Sequence, residues 1–257
     1  MSSTNNDRLD FIIHTILDAH KKYISRPDYV LRDKSQFDLV TSVDFGIEEY
    51  IISQIRTRFP SDRILSEETN SATLIKGDTW TIDPIDGTYN MASGIRLFGT
   101  QCALYQQGEI VLSAIYLPLF NEMYYAQLGR GAFLNGEQIR IKQPDLQHCI
   151  VSCGDFPHGR TEDTQKQLKI MAHLTPRIAK IRMFGAACMD FTAVASGKTA
   201  GTVIFTKNKW DIAPGMLLCR EAGALIKDTK GDYNNESAEV IVCATQELYQ
   251  TIMDSLC

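Results

Sequence analysis

Two aspartates and a glycine follow a short run of strand-forming residues in the segment Trp-Thr-Ile-Asp-Pro-Ile-Asp-Gly-Thr, which begins at Trp80. The β-branched and aromatic residues before Asp83 favour a buried strand, and Pro84 lacks the N–H needed to continue its ladder. We therefore expect the strand to stop there, with Asp83 and Asp86 close enough to share a divalent cation. Gly87 is expected to begin a helix, where backbone N–H groups favour an anion. A cation beside an anion is the arrangement that metal-assisted phosphate chemistry requires.

The same segment also has a purely structural interpretation. Asp-Gly is a common turn pair, and Asp or Thr at the start of a helix is ordinary capping. The haloacid dehalogenase phosphatases also carry an Asp-Gly-Thr element at a strand end, but their nucleophile and acid are two residues apart. Asp83 and Asp86 are three residues apart, and this spacing argues against an aspartyl-phosphate mechanism.

Three further acidic residues stand at the edges of predicted elements. Glu67 follows a brief strand, Asp44 lies at the start of the second predicted helix, and Asp211 begins a helix after a tryptophan. Taken singly, each is more simply explained as a cap or a solvated charge. Together with the two aspartates of the first motif, they form a set of carboxylates that could gather at one point.

The elements that must position these carboxylates are both helices and strands. Helical spacing of apolar residues predicts two amphipathic helices before the first motif, over about 9–20 and 43–55. After the motif, turn signals separate three strands of an antiparallel meander, and strand–helix alternation in the second half indicates an α/β layer. The strands predicted there are 99–105, 109–117, 122–127, 149–153, 177–183, 201–206 and 239–244, and the helices are 162–173, 185–196, 210–222 and 246–256.

Composition argues against several classes of partner. The chain has 257 residues and a formal net charge of −5, so no basic excess indicates a nucleic-acid polymer. No apolar run approaches the roughly 18–20 residues that a membrane span needs. The polar N-terminal residues have neither the basic nor the apolar region of a secretory signal. Seven cysteines, an odd number, suggest reduced thiols. We therefore expect a cytoplasmic protein.

Five segments recur in an order typical of one family. They are Asp-Leu-Val-Thr-Ser-Val-Asp ending at Asp44, Ser-Glu-Glu from Ser66, the motif from Trp80, Gly-Ala-Ala from Gly185, and Trp-Asp-Ile-Ala-Pro-Gly from Trp210. In these segments the sequence resembles the inositol monophosphatase family of lithium-sensitive, magnesium-dependent phosphatases. The resemblance implies a layered α+β or α/β fold, an alternating α-β-α-β-α sandwich of the inositol monophosphatase and fructose-1,6-bisphosphatase type. We expect an N-terminal half, 1–145, with most metal ligands, packed rigidly against a C-terminal α/β half, 146–257.

The resemblance also implies a role for each matching residue, with two or three Mg²⁺ ions as the cofactor. Metal ligands would be Glu67, Asp83, the carbonyl of Ile85, Asp86 and Asp211, with Asp44 reaching a third, weaker ion through water. The catalytic residues would be Glu67 and Thr88, which would orient and deprotonate a water activated by the metal. Phosphate and substrate would be bound by Asp86, Gly87, Thr88, Gly185, Ala186, Ala187 and Asp211.

These roles predict a phosphomonoesterase, commonly a homodimer, that hydrolyses a small phosphorylated alcohol such as inositol 1-phosphate. In enzymes of the family that act on inositol phosphates, a glutamate six residues before the second tryptophan helps to bind the ring; here that residue is Ile204. Lys207 and Lys209 could instead meet a second phosphate, or form a solvated loop. A phosphatase for a sugar bisphosphate, a nucleotide 3′-phosphate or NADP is therefore an alternative, and so is an inactive member that binds a metabolite.

Overall fold

The first two helices are amphipathic and begin at threonine caps. The computed structural model describes residues 4–24, 30–35 and 38–256. Helices α1 (Asn5–Tyr23) and α2 (Ser42–Arg58) confirm the two helices predicted before the motif. Each cap hydroxyl accepts a hydrogen bond from the backbone three residues on, and Asp7 or Asp44 at that position bonds back to the cap N–H. Between the helices lies an antiparallel hairpin that hydrophobic periodicity did not predict, β1 (Leu31–Ser35) and β2 (Asp38–Thr41).

Seven strands of the described chain form the larger sheet: β3 (Arg63–Ser66), β4 (Thr79–Asp86), β5 (Gly99–Gln106), β6 (Glu109–Leu117), β7 (Glu122–Gln127), β8 (Gly131–Leu134) and β9 (Glu137–Ile139). They lie side by side in this order. β3 and β4 run parallel, and the following neighbours pair antiparallel. The predicted meander is thereby confirmed, with its tight turns at left-handed residues such as Gln107 and Asn135.

The prediction that the motif strand stops at Pro84 is wrong. β4 continues to Asp86, which pairs with Gly99, and the register shifts between Asp83 and Asp86. A β-bulge at this point accommodates a residue without an N–H, because the bulged residues leave the regular ladder. The bulge keeps both aspartates on the strand. A short helix, α3 (Thr88–Ala92), follows directly.

The smaller sheet contains six strands of the described chain: β10 (Ile150–Cys153), β11 (Lys180–Arg182), β12 (Gly201–Ile204), β13 (Leu225–Asp228), β14 (Gly231–Asp232) and β15 (Val240–Cys243). Their order is β11-β10-β12-β15-β13-β14, with β10 parallel to both of its neighbours and the other pairs antiparallel. β13 and β14 were not predicted. The predicted helices of this half are confirmed as α4 (Thr161–Leu174), α5 (Ala187–Ala195), α6 (Lys209–Glu221) and α7 (Gln246–Met253). A 3-10 turn, Leu146–His148, precedes β10.

Alternating side chains of the two sheets divide the core into three clusters. Cys102 and Leu104 of β5 pack with the apolar side of α1 and α2. The intervening Ala103 and Tyr105 face α5, α6 and the smaller sheet. The other face of the smaller sheet packs against α4 and α7. The layers therefore alternate helix, sheet, helix, sheet, helix, which confirms the predicted sandwich. Within the described residues, no helix is both long enough and apolar enough to cross a membrane.

Candidate active site

A cavity of about 370 Å³ lies where the ends of several elements meet. The last residues of β4 and the first of α3 form one side, and the starts of α5 and α6 and the loops after β10 and β12 form the others. All the predicted site residues except Asp44 line this cavity. They are Glu67, Asp83, Ile85, Asp86, Gly87, Thr88, Gly185, Ala186, Ala187 and Asp211.

Asp83 is buried at the centre of this group, at 1% exposure. Its Oδ1 has no hydrogen-bond partner in the described part of the chain, and its Oδ2 lies 3.4 Å from the Gln101 side-chain nitrogen. Burial raises the pKa of Asp83 well above its ordinary value, and the negative charges of Glu67, Asp86 and Asp211 raise it further. Three neighbouring negative charges therefore disfavour the ionised form of the buried Asp83, which is the electrostatic condition that a cation relieves.

Asp86 joins the larger sheet to helix α5. Its Oδ1 accepts a hydrogen bond from the Ala187 N–H at 3.2 Å, and its Oδ2 accepts one from the Cys188 N–H. Burial raises the pKa of Asp86, while these two N–H donors partly offset the shift. The N-cap residue of α5, Ala186, makes no side-chain hydrogen bond to the first turn of that helix. The carboxylate of Asp86 therefore caps the free N–H groups of α5 instead.

The Thr88 hydroxyl lies between two acceptors. Its oxygen is 3.0 Å from Asp44 Oδ1 and 2.9 Å from the Ile85 carbonyl. Asp44 is fully buried behind the cavity wall, where its other oxygen accepts hydrogen bonds from the backbone and hydroxyl of Thr41. The Thr88 proton is therefore directed away from the cavity towards these acceptors. The hydroxyl oxygen keeps lone pairs that can accept a hydrogen bond from water.

Gln101 is a site residue that the sequence reasoning missed. It stands opposite Asp83 in the β4–β5 register and is fully buried. Its amide nitrogen lies 3.2 Å from Asp86 Oδ2 and 3.2 Å from the Asp211 carbonyl, besides the contact with Asp83. One amide therefore links three of the predicted metal ligands. A glutamine inside an apolar strand gives no signal of its own until the register of the two strands is known.

The chemistry of these oxygen donors fits magnesium. Within residues 4–24, 30–35 and 38–256, no three His, Cys, Asp or Glu side chains gather closely enough around one point to hold an ion. Asp211 Oδ2 accepts a hydrogen bond from the Thr206 hydroxyl at 3.0 Å. The buried, unpartnered oxygen of Asp83 and an all-oxygen ligand set match a hard cation.

Neither of the two lysines near the second signature lines the cavity, and Lys207 is exposed. Lys209 donates to the Tyr233 hydroxyl at 2.8 Å, and burial lowers its pKa. Asn208 lines the cavity between Lys207 and Lys209, and Ile204 supplies an apolar patch on the same wall. Of the two interpretations of these lysines, the second phosphate contact therefore finds no support at Lys209, whose ammonium group is bound elsewhere.

Five alternating layers around an acidic cavity define the layered α/β class to which solved inositol monophosphatases belong. The chain itself belongs to the inositol monophosphatase family, because the model of that family matches residues 12–257. The family and the fold predicted from the sequence are thereby confirmed.

Individual relatives cover nearly the whole chain. A Thermotoga maritima protein named fructose-1,6-bisphosphatase/inositol-1-monophosphatase is 36% identical over 234 residues, 89% of this chain and 88% of the relative. The Nus factor SuhB of Escherichia coli is 32% identical over 238 residues, 91% of this chain and 89% of the relative. A solved structure of an IMPase from Thermotoga maritima has a TM-score of 0.85 at 30% identity and covers 97% of this chain and 98% of its own.

Proposed function

We propose that the protein is a magnesium-dependent phosphomonoesterase that hydrolyses a small phosphorylated alcohol such as inositol 1-phosphate. The observation that carries this proposal is the buried Asp83 oxygen, unpartnered within the described residues and surrounded by the charges of Glu67, Asp86 and Asp211. The family and the name of the Thermotoga maritima relative support a phosphatase.

Two or three Mg²⁺ ions would be held by the oxygen atoms around the cavity. The proposed ligands are Glu67, Asp83, the Ile85 carbonyl, Asp86 and Asp211, with Asp44 reaching a third ion through water. Bound magnesium would activate the attacking water and neutralise the charge that develops on the phosphoryl group. No covalent nucleophile is required for such a reaction. Burial raises the pKa of Cys188, the thiol on the Asp86 side of the cavity, well above its ordinary value, which removes it as a thiolate.

The residues of the chain would position water and phosphate. Thr88, whose proton is directed to Asp44 and Ile85, would accept a hydrogen bond from the attacking water and orient it. Glu67 would take up the proton that this water releases. The backbone N–H groups of Gly87 and Thr88 would bind phosphate oxygens, with the segment 185–187 on the opposite side of the cavity.

A phosphate-release assay tests this proposal. Protein stripped of bound metal should be inactive on inositol 1-phosphate in the presence of a chelator, recover activity as magnesium is added, and lose it again with lithium. Calcium in place of magnesium provides a control for ion identity, because a larger and less demanding ion supports a different geometry. Full turnover in the chelator would contradict the metal-dependent mechanism.

The same assay separates two further candidates. The name of the Thermotoga maritima relative includes fructose-1,6-bisphosphatase, so a sugar bisphosphate belongs in the substrate panel. A nucleotide 3′-phosphate and NADP complete that panel. The relatives named Nus factor SuhB carry a name that refers to no phosphate ester. Absence of phosphate release from every ester and with every ion would favour a member that binds a partner or metabolite without turnover.

A further inference from the structure

One wall of the cavity is formed by two loops that leave neighbouring parallel strands. β10 and β12 pair in register through Cys153 and Val203, and the Gly154 N–H donates to the Val203 carbonyl at 2.9 Å. The carboxyl ends of two parallel strands open at the same edge, which is where α/β sheets bind ligands. Asp155 follows at once and lines the cavity with an exposed side chain.

The backbone that carries Asp155 is held at both ends. The buried Gln167 of α4 donates its side-chain N–H to the Gly154 carbonyl at 2.5 Å. A Cβ added to Gly154 would lie 3.2 Å from the Ile204 side chain, so glycine allows the two loops to approach. Beyond Asp155, the Pro157 carbonyl accepts from the Arg160 N–H at 3.2 Å. The backbone that leads into Asp155 is therefore fixed against β12 and α4.

The titratable side chains that line the cavity are mostly carboxyl groups, besides one histidine, His158. Among the described residues that line the cavity there is no lysine or arginine, and Lys209 is turned to the hydroxyl of Tyr233. Burial, together with the charges of Asp86 and Asp155, raises the pKa of Asp190 to about 8. The buried Asp190 is thus largely neutral at pH 7, and the field of Asp155 reaches into the cavity.

We propose that Asp155 is a specificity-determining residue that selects the alcohol part of the substrate. It accepts hydrogen bonds from hydroxyl groups of a neutral polyol monophosphate and repels a second phosphate group. This inference rests on the proposed phosphatase function. An ionised carboxylate only accepts hydrogen bonds, which matches hydroxyl donors, and such charge-assisted bonds are strong. A second phosphate dianion offers no donor and meets the like charge of Asp155.

Steady-state kinetics of two variants, Asp155→Asn and Asp155→Ala, test the proposal with magnesium at pH 7.5. The substrates are inositol 1-phosphate, fructose 1,6-bisphosphate and p-nitrophenyl phosphate, which differ in hydroxyl groups and in a second phosphate. Glu162→Gln is the matched control, because it removes the same charge from an exposed position of α4.

The expected result is a shift of preference and not a general loss. Asp155→Ala should raise the KM for inositol 1-phosphate about tenfold and change kcat less than about threefold, as expected for a lost charge-assisted hydrogen bond. Both variants should lower the KM for fructose 1,6-bisphosphate about threefold, because a like charge is removed. The KM for p-nitrophenyl phosphate should stay within about twofold, and Glu162→Gln should leave all three KM values within that range.

An unchanged ratio of kcat/KM between the polyol phosphate and the bisphosphate in both Asp155 variants would overturn the assignment, and so would an equal loss on all three esters. Phosphate release from p-nitrophenyl phosphate reports separately on the proposed function. If the wild-type protein released phosphate from no ester, that function would be wrong. Binding of inositol 1-phosphate and fructose 1,6-bisphosphate to the same variants would then be measured by calorimetry. A ratio of the two affinities that is unchanged in both variants would overturn the role of Asp155.

Discussion

Asp190 is a buried carboxyl group whose replacement should change how stability depends on pH. It lies in α5, is fully buried, and neither of its side-chain oxygens has a hydrogen-bond partner among the described residues. Burial is the main cause that raises its pKa from 3.8 in the unfolded chain to about 8 in the folded one. The nearby Ser152 hydroxyl lowers the pKa to a lesser extent.

The direction of the effect follows from the two pKa values. Between pH 4 and pH 8 the folded protein holds a proton on Asp190 that the unfolded chain has lost. The contribution of this group to the free energy of unfolding therefore falls as pH rises, with a slope of about 1.4 kcal/mol per pH unit. Asp190→Asn removes this titration and keeps the size of the side chain. Relative to wild type, the variant should gain about 2.7 kcal/mol between pH 5 and pH 7.

Urea unfolding of metal-free protein at pH 5, 6 and 7 measures this difference. The other carboxylates titrate in both proteins, so their contributions cancel in the difference between the free energies of unfolding of variant and wild type. Glu162→Gln is the control, because that side chain is exposed on α4, and its difference from wild type should stay constant. A difference for Asp190→Asn that does not change with pH would refute the reasoning, since Asp190 would then titrate alike in both states.

Two further variants test the roles of Thr88 and Gln101. Thr88→Ala should lower kcat about a hundredfold and leave KM within about threefold, because it removes the proposed water-orienting acceptor. Thr88→Ser keeps the hydroxyl and should retain most activity. Gln101→Leu should weaken magnesium binding about tenfold in calorimetry, because one amide links three proposed ligands. Gln106→Leu, at the end of the same strand, is its control, and equal magnesium affinities in both leucine variants would contradict this role.

The carboxylates of the site could be predicted because each stands beside a local signal. Glu67 and Asp83 lie next to apolar strand residues, and Asp44 and Asp211 lie in the first turn of amphipathic or apolar helices, where acidic residues are already expected. The spacing of apolar residues also predicted most helices and strands of the two sheets. These signals depend on neighbouring residues, and tertiary packing did not override them.

Features that depend on contacts between residues far apart in the sequence could not be predicted. Gln101 meets Asp83 only because the segment between β4 and β5 has the length that brings these two residues opposite each other. The bulge that carries β4 past Pro84 likewise depends on the partner strand. The hydrogen bonds from α5 to Asp86 join residues 101 and 102 positions apart. β13 and β14 are short strands of mixed polarity that meet at a turn with a positive φ at Gly231. Strands this short show no alternation of apolar and polar residues from which they could be predicted.

Asp86 explains why the proposed phosphate-binding segment and the proposed cation ligands line one cavity. Its carboxylate accepts from the first turn of α5 and so fixes the preceding residue, Ala186, against the motif turn. Gly87 permits this approach, since a Cβ there would lie 2.9 Å from the Ala186 side chain and is disfavoured at its φ of 92°. A carboxylate has about four lone-pair sites, so Asp86 can keep these two bonds and still ligate a cation. Metal removal should therefore allow the charged side chains of the site to move, while α5 stays packed against the larger sheet.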